Sequence, residues 1–473
     1  MGAAPQVTRG PGAYQLDDRL HDEAYDAAGR PRAAYEPVLS ALAGADLSAL
    51  AKAVDADVRK MEVSFGTSPF HVDPVPRIFE RSEWDLVERG LAQRVRALRA
   101  FTADVYGDRR IVADGIVPAR AIDGAEHFEP WMLGVEVPDW AYMSMAGIDL
   151  VRGADGRLAV LEDNLRTPSG LTYAVAARDA CRPHLPCEPP KHLRPLDGVY
   201  ETLGAALRSA VPGGDGEPLV VLLSDGPSNS AWYEHRVLAR RLGVPLVTPD
   251  DLYPSRGRLR AMLDGGSRDV DVIYRRTDED RLLERDGRAT WVAEVLLDPC
   301  RAGRLSCVNA FGGGVADDKL IHGYVDAMVR FYLREEPLIR SVPTYDLGVE
   351  STRESVLARL DEVVVKPRAG HGGHGIVVGP HATPEDREVA ARRVRAEPEA
   401  WVAQETVMLS RHPTVDGDGV LAPRHVDLRA FVVSSEDEVS VPPSGLTRFG
   451  RDPGALVVNS SQDGGGKDTW VIA

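Results

Sequence analysis

An α/β fold with α+β elements, led by a helical N-terminal region, is what this 473-residue sequence predicts. Three features point there. Apolar residues recur at spacings of three to five between 37 and 106, the mark of helices buried on one face. A continuous apolar run at 218–224 opens an alternation of strands and helices, as in a parallel layer. Beyond about residue 344, short strand-like stretches predominate.

In chain order, residues 1–35 are polar and rich in Gly and Pro and read as a loosely packed arm. Leu39, Leu42, Leu47 and Leu50, then Leu86, Leu91, Val95, Leu98 and Phe101, mark helices of a region at 36–130, and DPVPR at 73–77 reads as a break between them. A unit at 131–215 holds a β-hairpin with strands at 147–151 and 158–161, turning at 154–156. A charged, proline-bearing connection at 183–196 and a helix near 197–209 lead on to a unit at 216–343. There the 218–224 strand is followed by a helix at 231–242 and strands at 245–247 and 270–274. The last unit, 344–473, takes strands at 363–365, 376–378, 401–403, 428–433 and 455–458.

The chain is too long for one ordinary core, so about two to four packed subdomains are expected. A hydrophobic share of 43% with 27% charged residues is a globular composition. A net charge of −16 disfavours nonspecific binding to nucleic acid or an anionic membrane, while leaving room for a local basic cleft. Cys181, Cys187, Cys300 and Cys307 lack zinc-knuckle spacing and are too few for a disulfide framework. No signal-peptide core and no long apolar run is present, so a cytoplasmic location is expected.

Three constellations bear chemistry. The first is GHGGHG at 370–375, which satisfies the dinucleotide pattern but is followed by a strand and a stop rather than a helix. A P-loop is excluded because no G-x4-G-K followed by Ser or Thr occurs, and a kinase glycine loop does not fit because Lys366 precedes the glycines and no DFG is present. What remains is a strand, a lysine and a glycine hairpin: a phosphate cradle, or else a flexible surface turn. The second is Asp149 with Glu162 and Asn164. Glu162 and Asn164 share a strand face, and the adjacent hairpin strand can bring Asp149 beside them. Such a hard oxygen set suits Mg2+, though an acidic hairpin needs no metal. The third is Asp427 and Arg429 on one strand face, followed by Arg448, Asn459 and Lys467, where converging cations would stabilise a transferring phosphoryl group. Singly, each would be an ordinary solvated residue.

Taken together these residues resemble the circularly permuted ATP-grasp proteins, type 2, from about residue 35 onward. The resemblance is carried by DPVPR at 73–77, EDNLR at 162–166, PSG at 168–170, SNS at 228–230, IYRR at 273–276, GVADDK at 314–319, VKP at 365–367, VAQE at 402–405, DLR at 427–429 and NSSQ at 459–462. ATP-grasp enzymes ordinarily end with the Asp and E-x-N metal set; here Asp149, Glu162 and Asn164 come before the other elements, which is what a permutation implies.

The resemblance implies a circularly permuted ATP-grasp fold using ATP and Mg2+. By it, Lys319 and Lys366 hold phosphates, Gly372, Gly373 and Gly375 form the lid, and Gln404 and Glu405 form the adenine and ribose hinge. Asp149, Glu162 and Asn164 bind magnesium. Arg429, with Arg448, Asn459 and Lys467, faces the γ-phosphate and acyl phosphate, and Arg166 and Ser169 meet the carboxylate substrate. Arg275 and Arg276 are expected to be structural or substrate-side. His374 stands where the family's lid often carries lysine, and the segment 64–70 is shorter than usual, which would reshape the acceptor pocket. The implied activity is a carboxylate–amine ligase acting through an acyl phosphate, joining a small-molecule or peptide carboxylate to an amine, with no nucleic-acid or membrane partner. The alternatives are a kinase on the same site and a non-catalytic nucleotide-binding partner protein. Neither the substrates nor the oligomeric state is named by the sequence.

Overall fold

The computed structural model describes residues 14–196, 198–213, 218–279, 281–284, 286–370, 375–450 and 464–473. Its fold is mixed α/β, with several sheets wrapped by helices. The largest sheet runs, in spatial order, Val72–Phe79, Gly465–Val471, Gly445–Phe449, Leu421–Ser434, Met145–Arg152 and Leu158–Asn164. Strands from the two ends of the chain therefore lie side by side. The hairpin read from the sequence extends to Met145–Arg152 and Leu158–Asn164, and its first strand pairs antiparallel with the long Leu421–Ser434 strand. That register sets Asp149 opposite Arg429 on one side and opposite Glu162 on the other.

The break read at 73–77 does separate helices, but it is itself a strand rather than a turn. It is the centre of Val72–Phe79, a wholly buried strand parallel to Gly465–Val471. The strand sits at one end of the sheet order, so Pro74 and Pro76 can lack an N–H without breaking a ladder on a second side. Helices do flank it, at Leu47–Lys60 and Arg81–Tyr106, the latter burying Trp84, Leu91, Val95, Leu98 and Phe101.

The arm is also corrected over its described part, 14–35, which is packed rather than loose. Ala24 and Tyr35 share a core with Val75, Ile78 and Trp470. The buried Glu23 carboxylate accepts from Arg77 at 2.6 Å, Arg152 at 3.0 Å and Ser410 at 2.6 Å. Its polar composition encodes ionic packing, in which a buried carboxylate is tolerated because two guanidiniums and a hydroxyl satisfy it.

The expected parallel layer consists of Ser306–Val308, Val272–Arg276, Val220–Ser224 and Leu246–Val247. Helices Trp232–Leu242 and Trp291–Arg301 belong to the same stretch of chain. An antiparallel trio, Leu252–Ser255, Arg258–Leu263 and Gly266–Val270, escaped the sequence reading because alternating charges obscure its apolar face. A last antiparallel sheet orders Thr344–Asp346, Trp401–Glu405, Val363–Pro367 and Val377–Val378. The strand expected at 455–458 lies outside the described residues. All four cysteines are free thiols. Among the described residues no single helix is long and apolar enough to cross a membrane.

Candidate active site

A cleft of about 360 Å³ opens between the large sheet and the small antiparallel sheet. The hairpin strands reach it with Asp149, Glu162 and Asn164, the small sheet with Lys366, Gln404 and Glu405, and the long strand with Arg429. Arg448, Lys319, Arg166 and Ser169 complete the expected residues along its wall.

Asp149 is buried and its two oxygens accept from Arg429 at 2.7 and 2.8 Å. Arg448 lies 2.9 Å from the same carboxylate and donates to Asp427 at 2.8 and 2.5 Å. Burial alone would raise the Asp149 carboxyl, but Arg429 and Arg448 outweigh it and hold the group down at about 2. Asp427 goes the other way: burial dominates and pushes it up, with Arg448 only partly offsetting this. Glu162 is left more open, with Lys319 at 3.8 Å. Asn164 is half-buried, and its amide nitrogen, shut off from solvent, has no partner among the described residues. An orphan of that kind in a cleft wall is what a bound group satisfies. Two carboxylates and an amide on facing strands make an oxygen-rich donor set that fits Mg2+, provided Asp149 shares its charge with Arg429.

The cationic side is built differently. Lys366 points its ammonium at the Gln404 carbonyl oxygen, 2.6 Å away, and Gln404 is held in turn by Thr344 at 3.0 Å. Withdrawal from water pushes the Lys366 ammonium below its ordinary value, with the Glu162 charge opposing. Lys319 donates to the Gly370 carbonyl at 2.6 Å, at the start of the glycine run. Just before that run, Arg368 is buried against Asp318 at 2.8 Å and also reaches the Ala121 carbonyl. Arg368 thereby clamps the base of the loop to the residue preceding Lys319. Glu405 lines the cleft, but its carboxylate takes bonds from Tyr345 at 2.5 Å and Arg359 at 2.6 Å.

Not every expected residue arrives. Lys467 does not line the cleft: it is wholly buried, and its ammonium is ion-paired with Asp73 and 3.1 Å from the Pro413 carbonyl. The reason is register, since Lys467 is paired beside Asp73 on the parallel edge strand. Gly375 is exposed, while Gly372, Gly373, His374 and Asn459 lie outside the described residues. Sequence reasoning missed Asp317, which lines the cleft and accepts from the Leu165 amide at 2.7 Å, fixing the turn after Asn164. The GVADDK run contains that residue, but nothing in its pattern separates Asp317 from Asp318. It also missed Glu234, a buried carboxylate accepting from the Gly170 amide at 3.0 Å, the Thr172 amide at 3.0 Å and Arg276 at 3.2 Å. Arg276 in turn donates to the Ser169 hydroxyl at 2.8 Å, so its expected substrate-side position is indirect.

The chain is similar to proteins in several bacteria. An uncharacterised Mycobacterium leprae protein is 40% identical over 98% of this chain and 84% of its own length. A Frankia casuarinae protein provisionally named glutamate–cysteine ligase 2-2 is 42% identical over all of this chain, which spans 56% of that longer protein. Among solved structures, a glutathione synthetase-like effector from Globodera pallida shares the fold, with a TM-score of 0.57 at 11% identity over 90% of this chain and 97% of that one. The family model for circularly permuted ATP-grasp type 2 matches residues 76–450, and this chain belongs to that family.

Proposed function

We propose that this protein is an ATP- and magnesium-dependent carboxylate–amine ligase that forms a C–N bond through an acyl phosphate. The observation that supports it most is the meeting of opposite charges from distant chain segments in one cleft. Glu162 lies 3.8 Å from Lys319, and Asp149 lies against Arg429, with space left between these groups. A cleft with acidic and basic walls is suited to a triphosphate and its cation. The fold shared with a glutathione synthetase-like protein and the ligase name of a relative agree with amide formation.

In this proposal Glu162 and Asn164, with Asp149, hold Mg2+, which supplies neutralising charge to the phosphate oxygens. Lys319 and Lys366 bind phosphate, Gly372, Gly373 and Gly375 cover it, and Gln404 and Glu405 form the hinge for adenine and ribose. Val364, Val378, Val407 and Leu409 give that end its apolar walls. Arg429 and Arg448, with Asn459, face the phosphoryl group in transfer, and Arg166 and Ser169 meet the carboxylate. A carboxylate oxygen attacks the γ-phosphorus in line, the bond to the ADP oxygen breaks, and ADP leaves. The amine nitrogen then attacks the acyl carbon, phosphate departs with the carbon–oxygen bond, and the nitrogen loses a proton. The protein contributes position, charge and exclusion of water. Lys467 takes no part, because Asp73 holds its charge.

ATP, Mg2+ and a panel of carboxylic acids with hydroxylamine test this. Acid-dependent ADP release with hydroxamate formation is the expected result. ADP release without hydroxamate indicates a kinase, and nucleotide binding with neither product indicates a non-catalytic partner.

A further inference from the structure

Beyond Arg429 the cleft changes character. Phe65, Phe70, Tyr173 and Leu446 line its far end. The rings form one cluster, with Tyr173 at 4.9 Å from Phe70 and 6.1 Å from Phe65, centroid to centroid. Leu446 and the Arg429 Cδ both lie within 3.6 Å of where a Cβ on Gly170 would sit, so the apolar end begins beside the aliphatic stem of Arg429. Gly170 has φ +130, which a side chain would strain, and a Cβ on Gly466 would lie 2.7 Å from the Phe70 ring. Both glycines keep this end open and closely walled.

Three polar groups beside it have partners within the protein. The Tyr173 hydroxyl donates to the Ser64 carbonyl at 2.8 Å, which turns the ring, not the hydroxyl, toward the cleft. The Ser169 hydroxyl takes Arg276, and the Gly170 amide gives its proton to Glu234. Arg166 lines the same cleft and lies 3.6 Å from Asp317. The short hairpin Ser64–Phe65 and Ser68–Pro69 presents Phe65 at the rim and is pinned by the Gly66 amide to the Ser230 carbonyl at 2.7 Å. The charges that act on the Tyr173 ring, Glu234 and Arg276, are paired with each other at 3.2 Å, so a charged substrate tail entering here would have to compete with an existing ion pair. An apolar tail would strand no polar group.

We infer that this end is a slot for the body of the carboxylate substrate, and that this body is an arylalkyl skeleton without a distal charge. The inference rests on the ligase reading and gives its substrate class. Face and edge contacts with three rings select a flat apolar group, while Arg166 and Ser169 take the carboxylate as in the ligase reading.

The test is calorimetry on the full chain with Mg2+ and a non-hydrolysable ATP analogue, titrating 3-phenylpropionate against glutarate. Phenylpropionate should bind at least about ten-fold more tightly. Phe65→Ala should weaken it about ten-fold, with the analogue's affinity unchanged, while Phe65→Leu should retain most of it. Glutarate binding as tightly as phenylpropionate, or indifference to Phe65→Ala, overturns the slot. Hydroxylamine trapping separates the two readings. Hydroxamate formed from glutamate alone overturns the slot and leaves the ligase standing, whereas tight phenylpropionate binding without ADP release supports the slot and overturns the ligase.

Discussion

Lys366 and Lys467 both lie on strands of the later chain, yet their surroundings dispose of the charge in opposite ways. Lys467 is wholly buried, ion-paired with Asp73, bonded to the Pro413 carbonyl and 5.0 Å from the centre of the Phe449 ring. Lys366 is half-buried and, among the described residues, bonded only to a neutral amide oxygen, that of Gln404, with the Glu162 charge at longer range. Burial pushes both ammonium groups down. The protein thus cancels one charge internally and leaves the other under-compensated at a cleft wall. A buried cation matched by its own carboxylate holds the fold together; one matched by an amide has room for an anion from outside.

The largest effect should come from breaking the matched pair. Asp73→Asn leaves the Lys467 ammonium buried without a counter-charge, and about 3–5 kcal/mol of stability should be lost. Urea unfolding reads this directly, and an unchanged midpoint would erase the contrast between the two lysines. Next is Lys366→Met, which keeps the apolar stem and removes a cation that no carboxylate of the described residues holds. Stability should move by about 1 kcal/mol or less, whereas ATP-dependent turnover should fall about a hundred- to a thousand-fold. Destabilisation as large as that of Asp73→Asn would make Lys366 another structural lysine.

The same contrast explains what the sequence made legible. Spacing placed Glu162 and Asn164 on one face, and the hairpin turn brought Asp149 opposite Glu162, because strand period and pairing are local rules. The strand alternation from 218 foretold the parallel layer for the same reason. Lys467 departs from its expected place because its position depends on a parallel strand nearly the whole chain away, which no local pattern reports. The strand at 72–79 was hidden by prolines that only an edge position tolerates. Glu234 and Arg276 stood in a helix and a strand that looked structural, and only the tertiary approach to Ser169 and Gly170 connects them with the cleft. Family resemblance supplied the roles, and the fold supplied the neighbours.

The smallest effect is one of pH. Because burial lowers Lys366, the unfolded chain keeps that proton to higher pH than the folded chain does. Between the two values the unfolded state binds the extra proton, so raising the pH stabilises the fold. A bound triphosphate favours the ammonium and works in the opposite sense, so nucleotide affinity should fall across the alkaline window below the ordinary lysine value of about 10.4. Lys467 is lowered too and contributes its own rise in stability, but it touches no nucleotide in this proposal. The difference between wild type and Lys366→Met therefore isolates Lys366: unfolding curves taken upward from neutral pH should rise more steeply for wild type, and calorimetric ATP affinity should fall for wild type alone. Equal slopes for both proteins would mean that the Lys366 proton is held equally well in the folded and unfolded chain, and the cleft would lose the uncompensated charge that sets it apart from the Lys467 site.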